Sequence, residues 1–190
     1  AMIIDERGNA ISADMITGLL APRFLRDNPG AAIVYDLRSS WSTKEAIEEA
    51  GGRPVRERVG HSFMKATMRE HGSPFGGELA GHFYFRRNFT ADSSIMTVIE
   101  ALNHIRETGS ALSELVAPLN RYFSTGEINF KVEDKAGMIR HLAEVFAAEP
   151  DVAGALAVVA DSADLGILSR TYNLPTAEVA GTFGQAIPGV

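Results

Sequence analysis

The run AAIVYDL, residues 31–37, limits the fold more than any other stretch of this chain. It is short and almost wholly apolar, the pattern of a strand covered on both faces. The next stretch, SSWSTKEAIEEAGG, changes period at once. Serines and a threonine stand at its start as caps, acidic residues lie inside, and glycine closes it, which predicts a helix. A buried strand feeding a helix needs further strands beside it. Up to about Phe123, apolar runs and helical periods do alternate. That alternation predicts an α/β fold: a mixed, mostly parallel sheet flanked by helices.

The other segments fill in this frame. AMIIDERGN reads as a short strand entering a turn over Asp5–Asn9. The strand opens at the first residue, so we expect further sequence upstream. SADMITGLLAPRFLRDNPG predicts a helix capped by Ser12, with Met15, Leu19, Leu20 and Phe24 on one face, an interruption at Pro22, and an end at Asn28-Pro29-Gly30. RPVRERV is weakly strand-like, with Val55 and Val59 on one face and Glu57 between them. GHSFMKATMREHG predicts a helix with Met64 and Met68 one turn apart. FGGELAGHFYF predicts a strand or strand and loop. ADSSIMTVIEALNHIRETG is the clearest amphipathic helix: Ile95, Val98, Ile99, Leu102 and Ile105 recur at three and four. Its start, Asp92-Ser93-Ser94, reads as an N-cap. SALSELVAPLNRYF predicts a second helix, capped by Ser110.

From about residue 124 the register changes. A strand through Ile128, Phe130 and Val132 and a helix through Met138, Leu142 and Phe146 predict a second, partial α+β unit over 124–190. Beyond about Pro150 the chain is rich in Ala, Gly and Val, and ALAVV and LGILSRTYNL are strand candidates. The role of that tail stays unassigned.

Bulk composition excludes some classes of function. The net charge is −6, so no broad basic surface recruits nucleic acid or an anionic membrane. Cysteine is absent, which removes disulfide and thiolate-metal chemistry and makes a reducing cytoplasm the default compartment. No apolar run is long enough for a membrane helix, and no signal peptide is seen at the N-terminus.

Three constellations could carry chemistry. Arg58-Val59-Gly60-His61 lies where a strand ends and a helix begins, and ligands bind beyond the carboxyl ends of strands in open α/β sheets. A helix N-terminus there offers free N–H groups, and Gly60 permits close approach. A plain turn with a surface histidine fits the same residues. GGELAGHFYF holds Glu78 and His82 among glycines. A helical metal pair is disfavoured by those glycines. The stretch also loosely resembles a phosphate loop, but His82-Phe83 stands where Lys-Ser/Thr belongs. A carboxylate in such a loop can accept two sugar hydroxyls. A β-bulge with a solvated Glu78 is the alternative, and the residues alone leave both open. Third, Arg38 ends the second strand, and Arg86 and Arg87 follow the aromatic run. Each could meet a phosphate bidentately. No nucleophilic triad is defensible by order or spacing.

Taken in order, DERGN, IVYDLRSS, GGRPVRERVGHSFMKATM and FGGELAGHFYFRRNFTADS resemble the third domain of the alpha-D-phosphohexomutases, the phosphomannomutase/phosphoglucomutase family. The likeness runs from about Met2 to Ala148, and GEINFKVEDKAGMIRHLAEVF is similar to the start of the family's fourth domain. The resemblance implies an isomerase, an intramolecular phosphotransferase of carbohydrate metabolism acting on glucose or mannose phosphates. The family works with a phosphoserine and Mg²⁺. It further implies that Gly77, Glu78, Gly81 and His82 fill the family's sugar loop, with Glu78 accepting two ring hydroxyls. Ala80 stands where a serine is common, a contact worth roughly 0.5–1.5 kcal/mol. Gly60 and His61 match the family's Gly-His turn, with Arg58 just before it, and Arg38 matches a basic residue on the sheet.

The family's phosphoserine and metal loops have no counterpart here, so we expect a fragment that is inactive alone and binds no Mg²⁺ itself. The fourth domain's phosphate loop is not matched either. We also expect exposed apolar surface from lost domain contacts, prone to self-association. A non-catalytic sugar-phosphate-binding or interaction module is the alternative. A nucleotide-binding domain would need a glycine-rich loop after the first strand, and DERGNAIS is not one.

Overall fold

The computed structural model describes residues 1–123, 133–147, 154–160 and 165–171. The chain divides into two compact units, Ala1–Arg121 and Tyr122–Val190.

The first unit opens with a small antiparallel hairpin, β1 (Ile3–Ile4) with β2 (Ala10–Ile11). The turn between them is built by Asp5, whose carboxylate accepts from the backbone N–H groups of Arg7 and Asn9 and from the Asn9 side chain. Helix α1 (Ala13–Asp27) follows, then β3 (Ala32–Asp36), α2 (Trp41–Glu49), β4 (Arg53–Glu57), α3 (His61–Glu70), β5 (Phe75–Gly77), β6 (Phe83–Phe85), β7 (Ala91–Asp92), α4 (Ser94–Thr108) and α5 (Leu112–Val116). The five strands from β3 to β7 form one mixed sheet in the order β4-β3-β5-β6-β7. Strand β3 lies parallel to both β4 and β5, and β6 runs antiparallel to β5 and β7.

Strand β3 is buried throughout, and its alternation sorts the two faces. Ile33 and Tyr35 pack with Phe75, Phe83 and Phe85 under α1 and α2, against Ile16, Leu20, Leu25 and Ile47. Phe24 stacks on Phe75 with ring centroids 4.6 Å apart. Val34 and Tyr84 point the other way, onto Met64 and Met68 of α3. Helices on both faces explain why AAIVYDL carries no polar alternation. Glycine is needed where they close in. A Cβ on Gly76 would come within 2.8 Å of the Val34 carbonyl, and one on Gly77 would overlap the Thr17 hydroxyl of α1.

Several expectations are corrected. Helix α1 runs unbroken through Pro22. Proline there removes one backbone hydrogen bond, but Ile16, Leu19, Leu20 and Leu25 hold the helix on the core along both halves. Ser12 sits at the N-cap but donates its hydroxyl to Asp14 instead of accepting from the helix. Ser110 is not the cap of α5; Ala111 occupies that position, and the Glu114 carboxylate accepts its N–H. Val59 lies beyond the end of β4, so it shares no strand face with Val55.

Helix α4 differs most. Ser93 caps it as expected, accepting from Met96 N–H. Its apolar stripe, however, faces outward: Ile95, Val98, Ile99 and Leu102 are 75, 44, 49 and 58% exposed. The side turned inward carries Thr97, Glu100 and Ala101. On that side the Glu100 carboxylate meets Arg23 of α1 and Arg87. Ile105 alone of the stripe packs inward, partly buried beside Leu19, Leu112, Val116 and Leu119.

In the second unit, helix α6 (Lys135–Ala147) covers the predicted helix and buries Leu142. Strands β8 (Gly154–Ala160) and β9 (Leu165–Thr171) form an antiparallel hairpin. The expected strand through Ile128, Phe130 and Val132 lies outside the described residues, as do residues 172–190.

Candidate functional site

The strand order locates the site. From β3 the chain moves through α2 to β4 on one side, and from β5 it moves to β6 on the other. The connections diverge between β3 and β5, and in open α/β sheets ligands bind beyond the carboxyl ends of the strands at such a point. Strand β3 delivers Asp36 and Arg38 to it, and β5 delivers Gly77 and Glu78.

The turn between β5 and β6 is tight. Glu78 N–H donates to the His82 carbonyl at 2.8 Å, and Gly81 N–H to the Glu78 carbonyl at 2.9 Å. Gly81 takes φ +85°, a left-handed conformation that glycine adopts without penalty. Residues Leu79 and Ala80 form the tip, with Ala80 exposed. Glu78 itself is 2% exposed. One carboxylate oxygen, Oε1, accepts from the Tyr84 hydroxyl, and Oε2 accepts from Gly60 N–H at 3.3 Å. Gly60 is the N-cap of α3, with φ +125°. Glu78 therefore joins a strand, a turn and a helix N-terminus. The bulge reading with a solvated Glu78 does not hold.

Asp36, fully buried, is a second junction. Its Oδ1 accepts from Arg38 N–H at 3.0 Å and from the Ser39 hydroxyl at 3.2 Å. Its Oδ2 accepts from the Arg38 guanidinium at 2.6 and 3.1 Å, and from Leu79 N–H at 3.1 Å. One carboxylate thus orients Arg38 and tethers the Glu78 turn to β3.

The other expected residues take separate places. Arg58 lays its guanidinium over the Phe63 ring, 3.3 Å from the centroid. His61 is exposed in the first turn of α3. His82 Nδ1 lies 2.7 Å from Asp92 Oδ2. Burial pushes the Asp92 carboxyl up, but the His82 contact and the Phe83 N–H outweigh it and hold Asp92 below its ordinary value. Arg86 binds the Gly72 carbonyl and the Asn28 side chain, and Arg87 binds Glu100, so both brace the fold. Gly77 serves packing against Thr17.

Tyr84 and Asp36 escaped the sequence reading. Tyr84 sits in an aromatic run, FYF, whose alternation marks it as facing away from Phe83 and Phe85. Asp36 is the one charge in a buried strand, which was the available signal. Burial raises the Tyr84 phenol well above its ordinary pKa, and the neighbouring Glu78 carboxylate raises it further. It remains a hydrogen-bond donor across the physiological range.

Residues 12–122 match the family model described as phosphoglucomutase/phosphomannomutase, alpha/beta/alpha domain III. This chain belongs to the phosphoglucomutase/phosphomannomutase family and contains its third domain. A phosphomannomutase of Methanocaldococcus jannaschii is 38% identical over 144 residues, 76% of this chain and 32% of that protein. A phosphomannomutase of Escherichia coli K12 is 36% identical over 148 residues, 77% of this chain and 32% of its own length. Among solved structures, a phosphoglucomutase/phosphomannomutase family protein of Burkholderia thailandensis superposes with a TM-score of 0.64 at 28% identity, over 90% of this chain and 35% of that one. The chain thus spans about a third of the length of the relatives it matches.

Among the described residues no group of three or more His, Asp or Glu side chains is arranged to hold a metal ion. Among the same residues no helix is long and apolar enough to cross a membrane.

Proposed function

We propose that this phosphohexomutase chain supplies the sugar-recognition part of a phosphomannomutase/phosphoglucomutase, with a glucose or mannose phosphate as its ligand. The observation that carries the reading is the buried, turn-mounted carboxylate of Glu78, its turn tied through Asp36 to Arg38 at the carboxyl ends of β3 and β5. A carboxylate offers about four acceptor positions, and Tyr84 and Gly60 occupy two. Two vicinal ring hydroxyls need two of the positions that Tyr84 leaves. As the hydroxyls enter, they replace the longer Gly60 bond. Arg38 and the exposed His61 are the cationic and polar groups for the phosphate end. Phosphoryl transfer, with its phosphoserine and Mg²⁺, belongs to the complete polypeptide, of which this chain is a fragment.

We assign residues 1–123 to the third domain and 124–190 to a divergent C-terminal α+β region that begins like the family's fourth domain. The outward stripe on α4 makes self-association of the isolated chain the expected behaviour. Calorimetry of this chain with glucose 1-phosphate and mannose 1-phosphate tests the sugar site. We expect binding that Glu78→Ala abolishes; equal affinity in parent and variant rejects the reading.

A further inference from the structure

The carboxylate proposed to read sugar hydroxyls is useful only if it is held in one orientation, and the structure shows which group holds it. Tyr84 is fully buried in the middle of β6. Its ring is clamped by Val34, Met64 and Met68, and Tyr84 pairs in register with Gly76, whose missing side chain leaves room for Met68. From that pocket its hydroxyl reaches Oε1 of Glu78. Among the described residues the opposite oxygen has only the 3.3 Å contact from Gly60 N–H, at the N-cap of a different element. The two donors are unequal. One is a phenol on a sheet strand with no room to move, and the other is a long bond from a glycine.

We propose that Tyr84 is the positioning residue of the sugar site: it anchors Glu78 through Oε1 and leaves Oε2 to exchange the Gly60 N–H for ligand hydroxyls. Tyr84 touches no ligand itself and acts through Glu78 alone. The inference rests on the assignment of Glu78 as the hydroxyl acceptor. The Lys65 ammonium lies 5.8 Å from the Tyr84 ring, on its α3 side, and is not part of the anchor.

A double-variant cycle on the full chain tests this, using Tyr84→Phe, Glu78→Gln and the pair. Calorimetry reads affinity for mannose 1-phosphate, with inorganic phosphate as the ligand that lacks hydroxyls on a ring. The expected result is a roughly tenfold loss of mannose 1-phosphate affinity in Tyr84→Phe, the weight of one hydrogen bond to a charged group. Phosphate affinity stays unchanged. In the Glu78→Gln background, Tyr84→Phe adds little further loss. A structural role would weaken both ligands together and add to the Glu78→Gln loss. That outcome, or parental affinity in Tyr84→Phe, overturns the positioning role while Glu78 keeps its own. If Glu78→Gln binds mannose 1-phosphate as well as the parent does, the Glu78 assignment fails, and the Tyr84 proposal fails with it. Circular dichroism melts of each variant confirm that the binding data come from folded chain.

Discussion

Replacing Gly77 with alanine should damage the fold, not the glycine-rich loop in which the sequence places it. Gly77 has no left-handed backbone, so alanine meets no conformational penalty there. Its new Cβ would instead overlap the Thr17 hydroxyl and lie 3.1 Å from both Thr17 Cβ and Cγ2. Thr17 cannot swing away easily. It is fully buried, and its hydroxyl is bonded to the Ala13 carbonyl at 3.0 Å. Helix α1 cannot retreat without uncovering Ile16 and Leu20. Overpacking of this kind costs about 1–3 kcal/mol. The stiffer unfolded chain returns about 0.4–1 kcal/mol. The net loss is therefore on the order of 1–2 kcal/mol. With a urea m-value of about 1–3 kcal/mol/M, the midpoint should fall by roughly 0.5–1 M. Thr17→Ala supplies the control: it removes the hydroxyl and Cγ2, and with them the overlap, and the alanine at 77 fills the gap left in α1. The double variant should unfold within about 1 kcal/mol of the parent, since the exchange nearly conserves volume. Urea unfolding followed by circular dichroism measures all four chains. An unshifted midpoint in Gly77→Ala, or a Thr17→Ala loss that simply adds to it, would refute the packing argument.

Two further outcomes are expected. Hydrogen bonds from Arg23, then Arg26, hold the Glu107 carboxyl down at about 2, against an ordinary 4.5. A carboxyl depressed on folding stabilises above its ordinary value and loses that contribution as pH falls toward the folded one. The melting temperature of the parent should thus exceed that of Glu107→Gln at pH 7, with the gap closing between about pH 4.5 and pH 2; a gap independent of pH contradicts this. Sedimentation velocity should show the parent associating as concentration rises and Ile99→Lys remaining monomeric, because lysine interrupts the exposed stripe of α4. A parent that stays monomeric throughout rules out association through that face.

The residues alone were enough for the layers of the fold. An apolar strand with capped helices on either side in sequence has few ways to bury itself, and local signals such as the Asp5 turn and the Ser93 cap act within a few residues. The glycine-rich turn with Glu78 was also legible, as a candidate with its competing readings open. What the sequence could not decide depended on partners distant along the chain. Pro22 looked like a break because the cost of proline is local, while the packing that outweighs it comes from the sheet. The α4 stripe looked like a core face because periodicity records which residues share a side, not which side turns inward. Glu100, on the inward side, meets Arg23, far away in sequence, and the apolar side faces out. In the same way, a glutamate among glycines became a fixed acceptor only when β6 brought Tyr84 beneath it and α3 brought Gly60 beside it. Burial and distant hydrogen-bond partners arise from tertiary packing, and they decide what the turn can hold.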